Sequence, residues 1–286
     1  MNPLAPVTEC IARVSTVEEY LSSIDQAYNI LSNTAQGAMT ELWFRGQVRT
    51  TFPLLPSIGR PDTINPTMED AYLSKFESLV IPYVQQLPAF PLPGGVPTYW
   101  SWLVMMQHYG VPTRLLDWSR YALAALWFAT NPEDRSIRPE EIDAAVWILN
   151  PTKLDQAFNF NPNLKPGYIP NMEEPGFTLQ FGPRSQVLPN FKPAAAIAPV
   201  NNPNIQAQSG TFTVFPRKKE LIPLENFEDA SNYLLKICIN NANFKDIQTQ
   251  LRHYGITRLS LFPNITNIAN EINLEVENEN NQPTDP

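Results

Sequence analysis

At 286 residues and 32.3 kDa, the chain can bury a sizeable core as one large domain or two small ones. An aromatic share of 11% with only 17% charged residues excludes a chain disordered throughout. Against 28 acidic residues stand 20 basic ones, a net charge of −8 that lacks the surplus nonspecific nucleic-acid binding requires. Proline is abundant at 29 and glycine scarce at 11, so the irregular stretches should be stiff loops. Two cysteines, Cys10 and Cys238, supply neither a disulfide framework nor a CxxC zinc site. Two reduced thiols are expected, with one long-range disulfide as the alternative. The first 15 residues lack a signal-peptide pattern, and the longest apolar run, 121–130, is about half the ~20 residues of a membrane span. The expectation is a soluble cytoplasmic protein that makes no use of a membrane.

In chain order, Ser15-Thr16-Val17-Glu18-Glu19 resembles a capping box, and Val17, Tyr20, Leu21, Ile24, Tyr28 and Leu31 follow at helical spacing. Glu41 to Gly46 (ELWFRG) reads as a short aromatic strand stopped by glycine. A helix is expected from Pro66 to about Gln86, kinked or ended by Pro82. A Pro/Gly turn region follows over 88–97. The next helix runs from about Tyr99 to Tyr109 with Gly110 as its C-cap. Ser119 to Ala129 reads as a nearly all-apolar, buried helix capped by Asp117 or Ser119. Strands are expected at Asp143–Leu149, Thr211–Phe215, Leu234–Ile239 and Ile256–Phe262, and helices at about 244–254 and 264–272.

The domain plan is an arm over 1–14, one domain over 15–273 with a Pro/Asn-rich insertion at 150–207, and a disordered acidic tail over 274–286. Helices and strands mix without βαβ regularity. The fold class is therefore α+β, a single mixed domain with a twisted, mostly antiparallel sheet flanked by helices.

Both histidines lie in one phrase: His108-Tyr109-Gly110 leading to Thr113-Arg114-Leu115, and His253-Tyr254-Gly255 leading to Thr257-Arg258-Leu259. A helix end with a glycine cap accounts for this echo. The first copy is richer, because Gln107, His108, Thr113, Arg114, Asp117 and Trp118 crowd polar groups into an apolar region where each must find a partner. Arg114 and Asp117, three apart at an expected helix start, suit an ion pair or a substrate clamp. Arg45, ending an aromatic strand beside Gly46 and Gln47, presents a planar fork suited to phosphate or carboxylate. Gly46 would allow close approach to the backbone. Gln208, Ser209 and Gly210 place an amide at a turn before a strand that carries Phe212. Dinucleotide, P-loop, zinc-protease and nucleophile-elbow motifs are missing, and two isolated histidines make no metal site.

Trp43-Phe44-Arg45-Gly46-Gln47 resembles the tripeptide that names the FRG domain. Gln107 to Gly110 with Pro112 to Ser119 resembles its most specific block, and Gln208 to Thr213, Leu251 to Ile256 and Leu261 to Pro263 resemble its later blocks. The similarity runs over about 15–272. It departs at the extra 150–207 sequence and at Asn264, where an Asp often stands. The resemblance implies a bacterial or phage-borne intracellular domain associated with mobile elements and phage defence. It also implies an arrangement loosely similar to ADP-ribosyltransferase folds.

Two readings follow. In the first, an enzyme handles NAD or another nucleotide, with Arg45, His108, Asp117 and Gln208 as catalytic residues. Gly46, Gln47, Thr113, Arg114, Trp118, Ser119 and Phe212 would bind the ligand, NAD would be the substrate, and no metal would take part. In the second, the chain is a non-catalytic sensor or partner-binding module that uses 150–207. The enzyme reading expects the four catalytic candidates to converge in one pocket; the module reading expects them to be scattered.

Overall fold

A computed structural model of the chain describes residues 7–32, 40–61, 65–86, 98–131, 142–158, 167–183, 192–198 and 203–280. The 88–97 turn region and 281–286 of the tail lie outside them. Strand β1 (Ala12–Val14) leads into helix α1 (Val17–Leu31), whose N-cap is Thr16: its hydroxyl accepts from the Glu19 amide, while the Glu19 carboxylate accepts from the Ser15 amide. Next come β2 (Trp43–Gln47) and α2 (Glu69–Val80). Pro82 ends the α-helical pattern, and the chain continues to Gln86 as a 3-10 helix. Helix α3 (Tyr99–His108) closes on Gly110 at φ +80°, a left-handed cap that glycine alone adopts without strain.

Strand β3 (Leu115–Ser119) and helix α4 (Ala122–Thr130) correct the sequence expectation of one helix starting near Ser119. Residues 115–119 alternate across a sheet, with Asp117 exposed between Leu116 and Trp118. The flanking apolar residues concealed that period. Strand β4 (Ala144–Leu149), α5 (Pro151–Ala157), α6 (Pro175–Phe181), β5 (Ala194–Ala196) and α7 (Pro203–Gln208) follow. Short elements thus occupy the stretch read as an insertion. Strand β6 (Gly210–Val214), β7 (Leu234–Ile239), α8 (Phe244–His253), α9 (Arg258–Leu261) and α10 (Ile265–Asn280) complete the order.

The expected strand at 256–262 is instead α9, because Thr257 and Ser260 form a reciprocal capping box. The second His-Tyr-Gly phrase is therefore another helix end, with Gly255 at φ +75°, but it leads into a helix. Helix α10 also takes in 274–280, part of the stretch that composition assigned to a disordered tail.

The strands form one sheet in the order β1-β7-β4-β2-β3-β6-β5, antiparallel throughout except for β1 beside β7. This is the α+β arrangement expected. Strand β1 carries the N-terminal arm into the sheet edge, where Cys10 and Cys238 are joined as a disulfide with Cα atoms 5.7 Å apart. That corrects the expectation of two reduced thiols. Their sequence separation of 228 left the pairing to the strand register alone. A thiol assay on the purified protein in denaturant should find no free thiol before reduction and two after it.

One face of the sheet carries two separate clusters. Phe44, Val146, Ile148, Ile237 and Ile239 pack under α1, α4 and α8. Leu115, Phe212, Val214 and Ala196 pack under α3 and α6. Trp43, Leu116, Trp118, Trp147 and Leu234 line the opposite face. By alternation, Asp117 shares its face with Leu115 and opens between the two clusters.

Candidate functional site

Strand β2 is registered with β4 at five positions but with β3 at one, Phe44 opposite Ser119. Beyond that pair β2 and β3 are no longer in register, and their backbone groups need other partners. Arg45 supplies one. Its Nη1 donates to the Asp117 carbonyl oxygen at 2.7 Å and lies 3.8 Å from the nearer carboxylate oxygen. Burial lowers its pKa to about 10 against the pull of Asp117, so it remains a cation at neutral pH.

Asp117 is held from above by α3. The Gln107 amide nitrogen donates to one carboxylate oxygen, and the Thr113 hydroxyl donates to the Gln107 amide oxygen. Thr113 is itself locked by Ser57, whose hydroxyl accepts from its amide and donates to its carbonyl. The Asp117 side chain is 59% exposed, yet desolvation raises its pKa above the ordinary 3.8, with Arg45 and Gln107 pulling the other way. The carboxylate is thus open to solvent where β2 and β3 part, with Arg45 and Gln107 beside it. Arg60 acts electrostatically on both Arg45 and Asp117. The arrangement offers a guanidinium for an anionic ligand group beside a carboxylate that can meet developing positive charge.

The other sequence candidates lie elsewhere. His108 ends α3 exposed, edge-on to the Tyr109 ring, and burial pushes its pKa down rather than up. The Gln208 side chain donates to the Leu261 carbonyl, while its own carbonyl accepts from the Ser119 hydroxyl. Gln208 and Ser119 thereby tie α7 to the end of β3.

Gly46 is approached by α4. A Cβ there would lie 2.0 Å from the Ala125 carbonyl oxygen and 2.6 Å from the Ala129 nitrogen. Gln47 faces away, bridging the Trp147 indole and the Pro53 carbonyl. Trp118 is buried with its indole on the Thr213 hydroxyl, and Phe212 is buried beneath α3.

Arg114 does not pair with Asp117. It is buried against Glu69 of α2, Nε to Oε2 at 2.8 Å, and also donates to the Phe181 and Phe215 carbonyls and the Tyr99 hydroxyl. Adjacent strand residues point to opposite sides, so Arg114 and Asp117, three apart in extended chain, cannot meet as they would on a helix. Arg217 extends the cluster to Asp70, Tyr99 and the Gly182 carbonyl. Glu69 escaped sequence reasoning because an acidic residue in a first helical turn reads as an ordinary dipole partner. Gln107 was visible as one of six polar residues, and its role appeared only when α3 was laid over β3.

The family model of the FRG domain matches residues 40–137. Over those residues, about a third of the chain, the protein matches the FRG domain. The match takes in β2, α2, α3, β3 and α4, and with them Arg45, Gln107, Thr113, Arg114 and Asp117. It is narrower than the motif similarity over 15–272 and leaves the other strands outside. No curated protein and no solved structure matches this chain. Among the described residues, no helix is long and apolar enough to cross a membrane, and no cluster of His, Cys, Asp and Glu could hold a metal ion.

Proposed function

We propose that this FRG domain handles a nucleotide such as NAD at the Arg45–Asp117 pair where β2 and β3 part, as an ADP-ribosyltransferase-like enzyme. The observation that supports this most is the open carboxylate of Asp117, which accepts from Gln107, itself held by Thr113, and lies 3.8 Å from the Arg45 guanidinium that donates to the Asp117 carbonyl. Arg45 would grip a phosphate. As the C–N glycosidic bond of the substrate breaks, nicotinamide leaves with the bonding electron pair, and Asp117 faces the positive charge left on the ribose. Water or a nucleophilic acceptor then adds at that carbon, losing its proton to solvent or to a base. Asp117 must be ionised for this role, so turnover falls as pH drops through its raised pKa.

Asp117→Asn separates function from folding. The amide keeps the shape and still accepts from Gln107, but it carries no charge. A carboxyl whose folded pKa is raised stabilises the fold below its unfolded pKa, and that contribution disappears as pH rises through the folded value. The variant should therefore melt no lower than wild type at neutral pH, and wild type should lose ground to it as pH rises through that window.

NAD or ADP-ribose should raise the wild-type melting temperature, and wild type should release nicotinamide from NAD. Release should fall at least about a hundredfold in Asp117→Asn, the order of effect for one preorganised electrostatic group. A variant that matches wild type in nicotinamide release would remove Asp117 from the chemistry.

A second reading, a non-catalytic sensor or partner-binding module, is favoured by one observation. The side chains of His108 and Gln208 engage Tyr109 and Leu261, away from the Arg45–Asp117 pair. It predicts that no nucleotide shifts the melting temperature of the folded protein.

A further inference from the structure

Helix α10 is amphipathic the wrong way round for a packed surface helix. Ile265, Ile268, Ile272 and Val276 follow at spacings of three, four and four residues, one stripe of a helix, and all four are exposed, Ile265 at 86%. The side turned to the protein is polar: Asn267 is buried and Glu271 half-buried. A helix held by its polar face needs polar partners across from it, and here they surround a cavity of about 430 Å³. That volume lies within the ~300–1,000 Å³ range of small-molecule sites.

The cavity wall comes from four helices. Trp127 near the end of α4, Ile256 before α9 and Leu274 of α10 are its apolar part; Gln248 and Arg252 come from α8, Arg258 from α9, and Glu271 from α10. Two guanidiniums therefore face one carboxylate, a positive site on a chain of net charge −8. None of Arg45, Gln107, Thr113 and Asp117 lines it.

The charges are arranged unevenly. Arg258 is anchored, its Nε donating to Asn267 and its guanidinium lying over Phe262. Arg252 is half-exposed and donates through Nη1 to Glu271 at 2.8 Å. A guanidinium has five donors in a fork matched to carboxylate or phosphate. Glu271 thus occupies the position that an incoming anion would take, and it holds α10 down while it does so.

We propose that this cavity binds a small organic anion, a carboxylate or phosphate bearing hydroxyl groups, and that the anion competes with Glu271 for Arg252. Of the lining amides, Gln248 already donates to Trp127 and Thr130 and Asn267 to Phe262, so Asn270 and Asn273 are the ones that suit the hydroxyl groups. Nothing in the inference depends on the chemistry at Asp117.

Two variants of opposite sign test it. Titration calorimetry on the full chain would use citrate, inorganic phosphate and AMP in parallel, which separates carboxylate from phosphate and shows whether a nucleoside adds affinity. Asp117→Asn should leave binding unchanged, which separates this cavity from the Arg45–Asp117 pair. Arg252→Ala should weaken binding roughly tenfold or more, the loss of a charge-assisted bond. Glu271→Gln should tighten it by a similar factor, because Arg252 no longer has a competing carboxylate. Lys245→Ala, which removes one positive charge from an exposed position of the same helix, should leave binding as it was.

Melting curves of the four charge variants confirm that each is folded. Saturable binding of at least one probe with this pattern supports the site. The proposal is overturned if none of the probes binds saturably, if Lys245→Ala weakens binding as much as Arg252→Ala, if Glu271→Gln leaves affinity unchanged, or if Asp117→Asn abolishes binding.

Discussion

Glu69→Ala should destabilise the protein by about 3–5 kcal/mol, the usual result of leaving one member of a buried ion pair without its partner. Both side chains are almost inaccessible, at 1% for Glu69 and 2% for Arg114. Glu69 also accepts from the Arg114 amide at 2.8 Å, so the truncation orphans a backbone donor together with a guanidinium. Burial pushes the Glu69 pKa up, against the pull of Arg114. Arg114 stays charged because Tyr99, Glu69 and Asp70 outweigh its own desolvation.

The pair joins α2 to the residue before β3, three positions from Asp117, so its loss should loosen the strand that carries Asp117 as well as the fold. Urea unfolding of Glu69→Ala, Arg114→Met and the double variant gives the coupling. The double variant should recover part of the loss, because replacing both charges with apolar groups removes the orphaned cation. A Glu69→Ala variant within 1 kcal/mol of wild type would mean that water reaches Arg114.

Gly46→Ala should cost about 3 kcal/mol or more, at or beyond the upper end of overpacking, because the atoms in the way are backbone and cannot rotate aside. The added Cβ would lie 2.0 Å from the Ala125 carbonyl oxygen, so α4 would have to lift from β2. Gly176→Ala in the first turn of α6 is the contrasting case. A Cβ there meets nothing within 4 Å, and the change should be neutral or stabilise by roughly 0.4–1 kcal/mol. Thermal unfolding of the two variants decides what Gly46 is for. A stable Gly46→Ala protein that fails only to bind nucleotide would return Gly46 to ligand approach; a destabilised one assigns it to helix packing.

Legibility in the sequence followed the range of the interaction. Helices α1, α3 and α8 could be read because spacing, caps and glycine stops are local signals: Thr16 with Glu19, Gly110 and Gly255 all sit where their chemistry predicts. Strand β3 could not be, since Leu115 and Leu116 are both apolar and the sheet that buries one on each face is assembled from distant strands. Strands β1 and β5, each three residues long, carry too few positions to show a period. At 256–262 an apolar run imitated a strand, and the Thr257–Ser260 capping pair decided for helix.

The candidate site divides the same way. That Arg45 and Asp117 carry unusual chemistry for their surroundings was evident from composition alone, because charged groups in apolar stretches need partners. Which partners they take was not. Arg114 goes to Glu69, 45 residues away, and Gln208 to Leu261, 53 residues away, whereas Arg45 reaches Asp117 because β2 and β3 are registered at a single pair. Sequence by itself determined the α+β class, the local helix ends and the family blocks, all of which are set by a few consecutive side chains. Tertiary structure alone decided the pairing of charges, the Cys10–Cys238 link and the cavity beneath α10, because each depends on strand register and helix placement between segments from tens of residues to more than two hundred apart.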